Sequence, residues 1–104
     1  MITANEAAKL TKSYHKSIEA RAAFMLPEVM RDVDNLIVLL ACNGEGELLY
    51  DLKDYARKTN ADINEDLARE ITDRLADELC SPEMGFRVAR ETYCSLHIAW
   101  YKMN

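Results

Sequence analysis

A chain of 104 residues, 49% hydrophobic and 30% charged, is long enough to bury one core, so a single domain over 1–104 is expected and a disordered tail is excluded. A formal net charge of −5 argues against a general nucleic-acid binder, which carries a basic surface. No apolar run approaches the roughly 20 residues that span a bilayer. The opening "MITANEAAKLTK" is too polar to read as the apolar part of a secretory leader, so the expected location is cytoplasmic.

"TANE" at 3–6 reads as a helix start, with Thr3 as the N-cap and Glu6 three positions on. Leu10, Tyr14, Ile18 and Met25 then follow one helical stripe. Pro27 leaves two readings open: it begins a second helix at its first turn, or it interrupts one long helix. Val29, Val33, Leu36, Ile37 and Leu40 continue the period, and "NGEG" at 43–46 stops it, with Gly44 suited to a left-handed cap.

"ELLYDL" at 47–52 fits a short buried strand, although 47–57 also reads as a helix through Leu48, Leu52 and Tyr55; the strand is preferred. From Asp62 to Leu79 the pattern is a helix. Ile63, Leu67, Ile71 and Leu75 recur every four residues, and Asn60, Asp62 and Asn64 are alternative N-caps. "FRVAR" at 86–90 and "SLHIAWY" at 95–101 alternate as strands around a connection at 91–94. The expected fold class is α+β: helices packed on one face of a small, two- or three-stranded antiparallel sheet with a C-terminal hairpin.

The three cysteines, Cys42, Cys80 and Cys94, have no framework spacing and read as free thiols. Cys94 and His97 invite a nucleophile or metal reading. In an extended strand, however, Cys94 shares a face with Leu96, Ile98 and Trp100, while His97 points the other way. No Gly-rich phosphate loop, nucleophile elbow or zinc-binding helix motif is present. A non-enzymatic chain with no cofactor and no metal is expected.

Three surfaces remain. The acidic helix offers Asp62, Asp66, Asp73 and Asp77 with Glu70, either as a solvated face or as a mimic of a phosphate backbone. Lys9, Lys12 and Lys16 form a basic stripe on the first helix, by default a solvated face. The outer face of the hairpin offers Arg87, Ala89, His97, Ala99 and Tyr101, if Phe86, Val88, Leu96, Ile98 and Trp100 turn inward. Arg87, His97, Tyr101 and the acidic helix are the candidate contact residues, and the hairpin could also leave an edge strand free for another copy.

"MITANEA" on a capped helix, "LLACNGEGELLYDL", "LCSPEMGFRV" after an amphipathic helix and "LHIAW" together resemble the small accessory proteins of tailed bacteriophages. The resemblance implies expression in the host cytoplasm and a role in binding and modulating a host or phage macromolecule, host defence included. The expected function is therefore a small binding protein with a protein partner. The alternatives are a structural, self-assembling phage component, or a binder of a small anionic, nucleotide-like ligand through Arg87, Arg90, His97 and the tyrosines.

Overall fold

A computed structural model describes residues 1–101. Helix α1 runs unbroken over Ala4–Cys42, followed by strand β1 (Glu47–Asp51), helix α2 (Leu52–Thr59), helix α3 (Glu65–Leu79), and strands β2 (Arg87–Thr92) and β3 (Ser95–Ala99). The three strands form one antiparallel sheet in the order β1-β3-β2, and the helices lie on one of its faces. The α+β expectation holds, with the sheet three-stranded and the hairpin at β2–β3.

Thr3 caps α1, its Oγ1 accepting from the Glu6 N–H at 3.2 Å. The helix continues through Pro27, which lies inside it. Pro27 forfeits one backbone bond, to the Ala23 carbonyl four residues back. The residue is exposed, so water can serve that carbonyl, while Val29 and Val33 beyond it are fully buried and tie the second half of the helix to the core. At the far end Gly44 takes φ +83°, and the Asn43 and Glu45 N–H groups both return to the Leu40 carbonyl, ending the helix as the sequence predicts.

Both readings of 47–57 are realised in turn. β1 ends at Asp51, whose carboxylate then accepts from the Lys53 N–H at 2.9 Å and caps α2. Asn60 closes α2 in the left-handed region at φ 56°, and so does not start α3. Asn64 caps α3, its Oδ1 accepting from the Leu67 N–H at 2.9 Å. The helix thus begins three residues later than the apolar period predicts, and Asp62 lies outside it.

The core is one cluster. Ile18, Ala22, Val29 and Val33 of α1 meet Leu67, Ile71, Leu75 and Leu79 of α3, and Leu96 and Ile98 of β3 close it from the sheet side. Each of these Val, Leu and Ile side chains contributes about 1.5–3 kcal/mol by leaving water. Trp100 departs from the expected strand alternation. It sits past the end of β3, half-buried, with its ring edge-on to Phe86 at 6.4 Å.

Residues 1–17 of the chain are exposed throughout, and Ile18 is the first buried residue of α1. The first turns of this helix therefore project as an arm from a molecule 62 Å long and 29 by 21 Å across.

Candidate functional site

The sheet register decides what the outer face carries. Glu47 of β1, Ala99 of β3 and Arg87 of β2 form one row; Leu49, His97 and Ala89 form the next. Side chains alternate across a strand, so these six share a face, and the buried Tyr50, Leu96 and Ile98 occupy the opposite one. Among the described residues no helix covers the outer face: Leu49 is 64% exposed although it lies in a strand.

Two small alanines beside longer neighbours produce a shallow depression of about 410 Å³ lined by Glu47, Arg87, Ala89, His97, Ala99 and Tyr101. His97 Nε2 lies 3.1 Å from Glu47 Oε2, which orients the imidazole towards the β1 side. Arg87, on the other edge, makes no ion pair among the described residues. Tyr101 is fixed at the rim by Gly46. The Gly46 carbonyl accepts from the Trp100 and Tyr101 N–H groups at 3.0 and 3.3 Å, and a Cβ on Gly46 would lie 3.0 Å from both the Cβ and the carbonyl oxygen of Tyr101. That close approach, not the backbone angles, requires glycine there.

Arg87, His97 and Tyr101 are thus brought together as the alternation predicts. Glu47 and Leu49 complete the face and escape sequence reasoning, because they belong to a strand whose pairing partner lies some 50 residues away.

No family model, no curated protein and no solved structure matches the chain.

The acidic residues do not form the continuous row that helical spacing predicts. Asp66 Oδ2 accepts from the Tyr14 hydroxyl at 2.8 Å, holding α1 against the start of α3. Asp73 pairs with Arg90, and Glu70 with Arg74 at 3.0 Å. Asp62 precedes the helix, where its carbonyl accepts from Arg21. Asp77 is exposed. Most of this charge is engaged within the fold. Arg90 is likewise engaged: besides Asp73, it donates to the Thr92 and Tyr93 carbonyls and so braces the hairpin.

Cys94 and His97 lie on opposite faces. Cys94 is 3% exposed at the hairpin turn, its Sγ donating to Asp51 Oδ1 at 3.5 Å, while its carbonyl accepts from the Leu52 N–H at 2.8 Å. The thiol joins the turn to the start of α2. Cys42 and Cys80 are exposed at the ends of α1 and α3. Among the described residues no three His, Cys, Asp or Glu side chains converge to hold a metal ion, and no helix is long and apolar enough to cross a membrane.

Proposed function

We propose that the chain is a small non-enzymatic binding protein that modulates a host or phage macromolecule, and that it meets a protein partner through the outer face of its sheet. The observation that carries this reading is the bare, shallow face around His97, where Arg87, without an ion pair among the described residues, stands beside Ala89 and Ala99. An arginine next to small apolar side chains, with Tyr101 at the rim, favours a partner that presents a carboxylate beside an apolar group. Arg and Tyr are also the residue types that most often anchor interfaces.

The test is capture from lysate of the infected host with wild-type chain, Arg87→Glu and Ala89→Arg. A specific partner retained by wild type and lost by both variants, with melting unchanged, is the expected outcome. No partner, or equal recovery by all three, overturns the reading. A nucleotide-like ligand is less favoured because Arg90 is occupied by Asp73; a thermal-shift panel of nucleotides should leave melting flat.

A further inference from the structure

The outer face of the sheet is complementary to itself. Its β2 side carries a cation beside a small side chain, Arg87 and Ala89; its β1 side carries an anion beside a large apolar one, Glu47 and Leu49. The two sides flank Ala99 and His97 of β3 in matched rows. Arg87 makes no ion pair among the described residues, and Leu49 is 64% exposed. Arg87 and Ala89 suit a partner that presents a carboxylate beside an apolar group, and the β1 side of this same face presents that pair.

We propose that a second copy of this chain covers the face, sheet against sheet, about a two-fold axis lying along β3. Such an axis exchanges the two sides of the sheet and keeps every row at its own level. Arg87 of each copy then meets Glu47 of the other, and Leu49 of each seats on Ala89 of the other, so every contact occurs twice. Ala99 meets its own copy on the axis, where two small side chains let the sheets approach to the ordinary separation of about 10 Å. His97 also lies on the axis, but its imidazole is drawn towards the β1 side by Glu47 at 3.1 Å.

Charge selects this arrangement. A two-fold axis across the strands would exchange the rows instead, setting Arg87 against Ala89 and Glu47 against Leu49, with both charges desolvated and unpaired. An axis along β3 brings opposite signs together at both edges, in spite of the net charge of −5 on each copy. A foreign partner needs only to satisfy Arg87; a second copy satisfies Arg87 and Glu47 by one operation.

Three strands by five residues cover on the order of 250 Å². A standard stable interface buries about 800 Å² per partner, so the pair is transient, with a dissociation constant on the order of 0.1 mM. Weakness suits a shield. At low concentration the face is open; where the chain accumulates, copies occlude one another until a tighter partner displaces them. That consequence rests on the proposed docking role of the face; the self-association does not.

Sedimentation equilibrium of the full chain, carried up to about 1 mM, tests the arrangement. Wild type should show a reversible monomer–dimer equilibrium. Arg87→Glu and Glu47→Arg each set like charges together at two places and should raise the dissociation constant at least about tenfold, with thermal melting unchanged. Mixed in equal amounts, the two variants should dimerise again, because each then meets its complement. The chain carrying both reversals should recover wild-type association. A wild type that stays monomeric throughout, a dimer indifferent to both reversals, or variants that stay apart when mixed overturns the proposal. Lysate capture at a concentration where the copies are apart reads the partner separately: no capture with self-association intact removes only the docking role, and capture by a strictly monomeric wild type removes only the shield.

Discussion

Tyr50 donates its hydroxyl to Asp32 at 2.9 Å, and the same carboxylate receives Lys58 from α2. One acidic side chain on the middle of α1 thus anchors both the edge strand and the helix that follows it. Burial first, and the Asp32 hydrogen bond second, push the Tyr50 hydroxyl far above the ordinary tyrosine range.

The pH consequence has a definite sign. Tyr50 ionises near pH 10 in the unfolded chain and much higher in the folded one. The unfolded state therefore binds fewer protons above about pH 10. Stability from this group is complete below that pH and falls as pH rises beyond it. Tyr50→Phe should lose about 1 kcal/mol at neutral pH and show a shallower decline in alkali, measured by urea unfolding from pH 8 upward. An equally steep decline in the variant would assign the alkaline loss to other groups.

Pro27 tells on stability in the other direction. Replacing it with Ala restores the bond to the Ala23 carbonyl in a helix that already continues unbroken past the site, so Pro27→Ala should stabilise by about 1–3 kcal/mol. A rise in thermal midpoint with unchanged far-ultraviolet circular dichroism is the expected reading. A fall would mean that the ring itself is packed, contrary to its exposure.

Two apolar positions of similar appearance should behave oppositely. Ile71 is fully buried between α1 and the sheet, and Ile71→Ala should cost about 2–5 kcal/mol. Leu49 lies in a strand yet is exposed on the outer face, and Leu49→Ala should stay within about 0.5 kcal/mol. Chemical denaturation of both variants checks the assignment of faces; a large cost at Leu49 would place it under a covering element.

Gly46→Ala should disturb the rim of the candidate surface. The added methyl meets the Tyr101 backbone at 3.0 Å, and relieving that contact should cost about 1–3 kcal/mol and shift the Tyr101 ring, seen as changed ring resonances by NMR. Unchanged resonances would show that Tyr101 is not held by Gly46.

Much of this arrangement is legible in the chain. Thr3, Gly44 and the Ile63–Leu67–Ile71–Leu75 period speak through local chemistry alone, and so does the alternation that sets Cys94 and His97 on opposite faces. Pro27 is ambiguous because the residues that carry the helix past it, Val29 and Val33, act through contacts with α3, which lies far along the chain. α2 is hidden because Asp51 serves both strand and helix within one residue. Asp66 and Asp73 look like a solvated acidic face because their partners, Tyr14 and Arg90, are 52 and 17 residues away. Glu47 and Leu49 join the outer face only through pairing with β3, and no local pattern specifies that pairing.

The strand order also sets a folding sequence. β2 and β3 close a local hairpin, while β1 must find β3 across some 50 intervening residues. Local closure costs less chain entropy than distant pairing. The expected order is that the hairpin and α3 assemble first and β1 docks last. Opening runs the other way, so amide protons of β1 should exchange before those of β3, and Val88→Ala should slow refolding more than Leu48→Ala does. On that order a third of the outer face, the part bearing Glu47 and Leu49, would form only in the final step.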